Sequence, residues 1–301
     1  MKQRITTGVL FTLGVALFVI PGYWHPLPPL IFFFSVSLLA ARELIRAVRV
    51  KGLQPNPVLA SSGSLLMFLP LVGAAGYSSR NNHSGNPFDG FSDRLVWGFA
   101  FTAFALLLAM AFGVIGILIK RGPNALPDAV ATVMILAYVA FPLSCPILLL
   151  IEVKGGWIWL LIGLAAPWIS DSFAYFTGSL LGRRKILPAI SPRKTLEGCL
   201  GGIVGSMLIL PLIFSLFGRM LGQSGPLSWG RLIFALASGL VLSVASQLGD
   251  WLASGIKRWC GIKDFGSFLP GHGGILDRFD SAFFTLPMVL AIAVLYQMLL
   301  I

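Results

Sequence analysis

Residues 95–119 read LVWGFAFTAFALLLAMAFGVIGILI, 25 residues without one ionisable group between Arg94 and Lys120. A helix of about 20 such residues is long enough to cross the roughly 30 Å hydrocarbon core of a bilayer. Eight further apolar runs stand at about 5–21, 27–41, 58–77, 128–151, 156–181, 200–221, 231–253 and 282–301. Their hydropathy predicts an all-α integral membrane protein, a polytopic bundle of about nine transmembrane helices. Composition agrees: 11% of the 301 residues are charged and 56% are hydrophobic, whereas an ordinary soluble domain is roughly 25% charged.

Lys2 and Arg4 precede the first apolar run in the manner of a signal peptide. Pro21-Gly-Tyr-Trp-His-Pro26 follows it where a small-x-small cleavage site would stand, so this segment is expected to remain as a helix. The formal net charge of +11 does not indicate nucleic acid, because the Lys and Arg lie between apolar runs and not along one polar face. Their expected partners are membrane lipid and phosphate.

The nine spans leave Arg80, Arg94, Lys154, Arg219 and Arg231 on one side, and the other 17 of the 22 Lys and Arg on the opposite side. The positive-inside rule then places the N-terminus in the cytoplasm. It also puts the two most polar loops there, 182–199 and 254–281. We divide the chain into an N-terminal transmembrane region, 1–155, and a C-terminal catalytic region, 156–301, that carries both loops. Asn81-Asn-His-Ser-Gly-Asn-Pro87 reads as an external polar loop with His83 on its surface, and His25 lies between proline-rich turns. Cys145, Cys199 and Cys260 are widely spaced and fit no metal or disulfide pattern, which leaves them as membrane or near-membrane thiols.

The densest chemistry lies in QLGDWLASGIKRWCGIKDFGSFLPGHGGILDRFDS, Gln247 to Ser281. Asp250 closes an apolar run, and Asp277 and Asp280 stand three apart before the next, a spacing that shares one helix face. A carboxylate in a transmembrane helix costs about 2.5–3.5 kcal/mol on insertion scales, so one found there usually meets a cation, a metal or water. A few carboxylates together with substrate phosphates are what Mg²⁺ takes; a simple ion pair of Asp277 with Arg278 or Lys257 is the plainer alternative. Lys257, Arg258, Lys263 and Arg278 interleave with Asp264, Asp277 and Asp280, the mixture that a phosphate-handling site needs. Taken singly, each of these bases also fits a headgroup contact. Pro270-Gly-His-Gly-Gly274 offers backbone N–H groups to phosphate oxygens, with His272 as a phosphate ligand, an acid or a turn cap.

In the earlier loop, Ser191-Pro-Arg-Lys-Thr-Leu-Glu-Gly198 brings Arg193, Lys194, Thr195 and Glu197 to the start of a span. Thr195 and Glu197 also fit an N-terminal capping arrangement. Gly198, Gly202 and Ser206 recur every four residues and read as a helix-packing stripe. Asp171, inside an apolar run, is followed by Tyr175 and Gly178 and is a functional candidate by its position.

At these residues the chain closely resembles the phosphatidate cytidylyltransferase family. The family signature S-x-x-K-R-x4-K-D-x-G-x-x-x-P-x-H-G-G-x-x-D-R-x-D is met at Ser254, Lys257, Arg258, Lys263, Asp264, Gly266, Pro270, His272, Gly273, Gly274, Asp277, Arg278 and Asp280. Upstream, Asp171, the Ser191–Thr195 stretch with Glu197, and Gln247-x-Gly-Asp250 are similar to family features, with Arg193 where many members carry Lys. The motif matches run from Asp171 to Ser281, and the first 150 residues resemble the family in hydropathy alone. The resemblance implies Mg²⁺-dependent transfer of CMP from CTP to phosphatidic acid in a bacterial inner membrane, with the site facing the cytoplasm. It further implies Asp250 and Asp277 as metal ligands and a homodimer. On the same ground Lys257, Arg258, Lys263, Asp264, His272, Arg278 and Asp280 are expected in catalysis. Asp171, Ser191, Arg193, Lys194, Thr195, Glu197, Ser254, Gly273 and Gly274 are expected in substrate binding.

A transporter would spread its acids over several spans, whereas here Asp250, Asp264, Asp277 and Asp280 cluster in the last third of the chain. Other lipid enzymes that use CTP, such as a polyprenol kinase or a CDP-archaeol synthase, are the nearer rivals. The CDP-alcohol phosphotransferase pattern is absent.

Overall fold

The computed structural model describes residues 2–80, 91–222, 225, 227–269, 271 and 273–300. The polar loop with His83, and also Pro270 and His272, lie outside the described residues. The chain divides into two compact units, Met1–Glu152 with Cys260–Arg278, and Val153–Trp259 with Phe279–Ile301.

In the first unit the helices are α1 (Lys2–Val19), α2 (Leu27–Arg49), α3 (Pro57–Arg80), α4 (Phe91–Arg121), α5 (Leu126–Ile135) and α6 (Phe141–Glu152). Helices dominate because in lipid every backbone N–H and C=O must be satisfied within its own segment. The first apolar run persists as a helix, as its sequence predicts, and a 3₁₀ turn over Ile20–Tyr23 ends it at the prolines. His25 closes this corner, its Nδ1 accepting from the Leu27 N–H at 3.1 Å.

A π-helical turn, Leu136–Ala140, joins α5 to α6. The donor that the Tyr138 carbonyl would use in an α-helix belongs to Pro142, which has no N–H, so the ladder widens just before it. Asp128 in the first turn of α5 accepts from the Gln54 N–H at 2.7 Å and pairs with Arg121 at 3.3 Å, fastening both ends of that region.

Helix α2 buries Leu30, Phe33, Ser37, Ala40, Ala41, Leu44, Ala47 and Val48, a stripe at spacings of three and four. Glu43 lies on the same stripe and is only 6% exposed.

The second unit contains α7 (Gly156–Leu181), strands β1 (Lys185–Leu187) and β2 (Ser191–Thr195), α8 (Leu196–Phe217), α9 (Trp229–Cys260) and α11 (Ala282–Leu300); a short α10 (Leu276–Phe279), whose first three residues belong to the first unit, precedes α11. The glycine stripe packs α8 on α7 as its spacing predicts. A Cβ on Gly198 would stand 2.8 Å from the Ala174 carbonyl oxygen, and one on Gly202 would stand 2.9 Å from that of Ser170. Ser206, also on the stripe, is buried, and its carbonyl abuts Gly239 of α9. Such small-residue contacts let backbones approach where lipid offers no hydrophobic drive to associate. Trp159, Phe214 and Tyr296, all fully buried, meet edge to face with ring centroids 5.4–5.5 Å apart and join α7, α8 and α11.

Seven helices among the described residues are long and apolar enough to cross a membrane. Of the two remaining predicted spans, 58–77 lies within α3, Pro57–Arg80. The other, 27–41, forms the start of α2, whose last turns carry Arg42, Glu43, Arg46 and Arg49. Two loop assignments change. Residues 182–199 hold an antiparallel hairpin, with Lys185 opposite Thr195 and Leu187 opposite Ser191. Residues 254–260 continue α9, so Ser254, Lys257 and Arg258 ride on a helix and not on a loop.

Candidate active site

In the second unit a cavity of about 470 Å³ opens where α7, β2, the start of α8 and α9 meet. Asp171 and Tyr175 reach it from α7, Ser191, Arg193 and Lys194 from β2, and Asp250 and Trp251 from α9. The Lys194 ammonium makes an ion pair with Asp250 Oδ2 and lies 6.0 Å from the centre of the Trp251 ring. Ser254, one turn after Asp250, donates its hydroxyl to Asp250 Oδ1 at 3.3 Å. Burial pulls Lys194 below the usual lysine pKa, and the carboxylates of Asp171 and Asp280 oppose that pull. One cation therefore sits in the field of three carboxylates, Asp171, Asp250 and Asp280, all carried by this unit.

Buried polar groups tie together the helices that line the cavity. Ser170 and Ser243 hydroxyls stand 2.8 Å apart, and Gln247 Nε2 donates to Ser243 Oγ at 3.2 Å and to the Cys199 carbonyl at 3.1 Å. These bonds link α7, α8 and α9.

The hairpin that presents Lys194 is fixed at both ends. Thr195 caps α8, its Oγ1 accepting from the Gly198 N–H at 3.2 Å. The Glu197 carboxylate accepts from the backbone N–H groups of Arg183 at 3.0 Å and Arg184 at 3.2 Å. The capping alternative raised by the sequence thus accounts for Thr195, and Glu197 braces the hairpin's entry. Arg258 Nε donates to the Ile190 carbonyl at 3.4 Å, so the end of α9 holds the hairpin turn.

In the first unit the residues after Cys260 form an open loop organised by two carboxylates. Asp277 Oδ2 accepts from the N–H groups of Phe265 at 2.8 Å and Gly274 at 2.9 Å. Glu43 of α2 accepts from Ile275 N–H at 3.0 Å through Oε1 and from Leu276 N–H at 2.8 Å through Oε2. Burial pushes the Glu43 carboxyl above its ordinary value, with the two N–H bonds acting the other way. Gly273 has φ of +83°, and a Cβ on it would lie 2.9 Å from Asp277 Oδ2, so the turn requires glycine there on two counts. A Cβ on Gly266 or Gly274 would meet Glu43, whose Cδ would stand 2.8 Å and 2.6 Å away respectively.

Of the residues expected from sequence, the second unit gathers Asp171, Ser191, Arg193, Lys194, Thr195 and Asp250 at its cavity. Ser254 and Asp280 act on members of that group. The first unit gathers Asp264, Gly273, Gly274 and Asp277, while Lys263 and Arg278 are exposed. Glu43 and Trp251 were not singled out by sequence. The signal for Glu43 was an acid on the apolar stripe of α2, at the spacing of Ala40, Leu44 and Ala47.

Among the described residues no three His, Cys, Asp or Glu side chains form a ready-made metal cage. The donors at the second-unit cavity are nonetheless hard carboxylate oxygens that already surround a cation, Lys194. That suits Mg²⁺, which is commonly held by one or two carboxylates with substrate phosphates completing its shell.

The cytidylyltransferase family profile matches residues 2–296. The phosphatidate cytidylyltransferase of Bacillus subtilis (strain 168) is 35% identical over 302 residues, covering 99% of each chain. The enzymes of that name from Staphylococcus saprophyticus and Staphylococcus epidermidis are 30% and 31% identical over 291 residues, covering 96% of this chain and 97% of each relative.

Proposed function

Because the chain belongs to the cytidylyltransferase family, we propose that it transfers CMP from CTP to phosphatidic acid, giving CDP-diacylglycerol and pyrophosphate. The observation that carries this reading is the cavity in which Lys194 is paired to Asp250 beside Arg193 and Asp171. Bases there neutralise phosphate oxygens, and acids keep the bases oriented before substrate arrives.

In the reaction an anionic oxygen of phosphatidate attacks the α-phosphorus of CTP. A new P–O bond forms, the bridge between the α- and β-phosphates breaks, and pyrophosphate leaves with the bonding electrons. The attacking oxygen is already deprotonated near neutral pH, so no strong general base is required. Positioning and charge neutralisation supply the catalysis. Lys194 and Arg193 would hold phosphate oxygens, and Asp250 would release Lys194 to them as substrate enters. Mg²⁺, for which Asp250 and Asp277 are our proposed ligands, would contribute charge stabilisation at phosphate oxygens when bound.

The site is proposed to face the cytoplasm, where CTP is found, in keeping with the distribution of Lys and Arg. A homodimer is proposed on family resemblance. With Cys145, Cys199 and Cys260 replaced, Arg183→Cys and Lys263→Cys are expected to resist a membrane-impermeant maleimide in intact cells and to react once the membrane is permeabilised. Ready labelling from outside would invert this topology.

The reaction is tested by pyrophosphate release from purified protein given CTP and a panel of acceptors. Release is expected with phosphatidic acid and not with diacylglycerol or a polyprenol. Release that depends on another acceptor would reassign the substrate.

A further inference from the structure

We propose that Glu43, in the N-terminal half of the chain, is a positioning residue for the reaction, holding the glycine-rich turn and Asp277 in register. The proposal rests on the functional reading above, which places Asp277 among the reacting loop's residues. Its structural grounds are independent of that reading.

Glu43 spends both carboxylate oxygens on consecutive backbone donors, Ile275 and Leu276, at 3.0 and 2.8 Å. Those N–H groups open the helical turn that begins at Leu276 and carries Asp277. Asp277 in turn uses Oδ2 on Phe265 and Gly274, across the base of the loop. Two carboxylates thus stitch one loop from opposite sides, and the position of the Asp277 side chain depends on where Glu43 holds its backbone. The glycines confirm how close the fit is: Gly266 and Gly274 both lie against the Glu43 carboxylate, with no room for a methyl group. Neither has positive φ, so a methyl group at either position would be opposed by the Glu43 carboxylate, which would have to shift off its two N–H bonds, and not by the backbone dihedral. A buried acid on an apolar stripe is costly unless it is hydrogen-bonded or paired. Here the hydrogen bonds go to the loop and not to a neighbouring cation, since Arg46 acts on Glu43 only at a distance.

Glu43→Gln keeps the shape but turns an NH₂ group toward one of two backbone donors, so one bond is lost. Two measurements on full-length protein in detergent test the role. Hydrogen exchange at the amides of Ile275 and Leu276 should quicken about 10-fold or more as local opening becomes easier. kcat for CMP transfer per folded molecule should fall about 10- to 100-fold, the scale of a small misplacement of reacting groups, while KM for CTP stays within about threefold. Unchanged exchange would overturn the contact. Faster exchange with kcat within about twofold of wild type would overturn the positioning role. If wild-type protein itself transfers no CMP, the functional reading fails, and the exchange result still decides the contact.

A second set of variants guards against misfolding. Gly274→Ala should lower kcat by itself, yet cost nothing further in a Glu43→Ala background, where the added methyl has space. Losses that simply add would mean that the two residues do not act on one another.

Discussion

Asp250→Asn is expected to cut CMP transfer about 1,000-fold, or about 4 kcal/mol of transition-state stabilisation, while leaving membrane insertion and folding intact. The amide keeps the shape of the carboxylate and can still accept the Ser254 hydroxyl, which now stands 3.3 Å from Oδ1. It cannot balance the Lys194 ammonium or bind a divalent cation as a hard anion. The folded state tolerates the change because Lys194 retains the carboxylates of Asp171 and Asp280 nearby. Loss of a charge near the membrane should, if anything, ease insertion. The check is turnover per folded molecule over a Mg²⁺ titration, with folding followed by detergent-phase monodispersity. Turnover within a few-fold of wild type at saturating Mg²⁺ would remove Asp250 from the chemistry.

Asp277→Asn and Asp277→Ala should separate two duties of one side chain. In Asp277→Asn the amide oxygen can take the place of Oδ2 and accept from Phe265 and Gly274, so the loop holds and only the charge is gone. Activity is expected to drop about 100-fold or more in that variant, with melting close to wild type. Asp277→Ala leaves both N–H groups without their acceptor, which costs about 1–3 kcal/mol for each that stays dry. It should therefore lose stability as well as activity. A charge-neutral variant that works normally would confine Asp277 to shaping the loop.

The membrane architecture was legible because uncharged runs admit no other reading, and 156–181 matches α7 residue for residue. The packing stripe at Gly198, Gly202 and Ser206 was also legible, since spacing alone puts three small residues on one helix face. Less could be read where tertiary contacts decide. The hairpin at Lys185–Thr195 lacks alternating hydrophobicity and is held by Glu197 and Arg258 from outside the strands. Lys257 and Arg258 suggested a loop by their charge, yet two bases in the last turn of α9 suit the negative end of a helix dipole. Glu43 was out of reach because its partners lie 232 and 233 residues further on, and no local pattern encodes that distance. The signature glycines were visible, but the carboxylate that lies against two of them was not.

The central claim, that a nucleotidyl group and not a phosphoryl group reaches the lipid, is tested most directly by the position of a radiolabel. Purified protein is given phosphatidic acid with CTP labelled either at the α-phosphate or at the γ-phosphate, and the lipid phase is counted. The account predicts that α-label enters the lipid phase in step with pyrophosphate release, and that γ-label stays wholly in water. Transfer of γ-label into lipid would make the protein a kinase and would contradict the account.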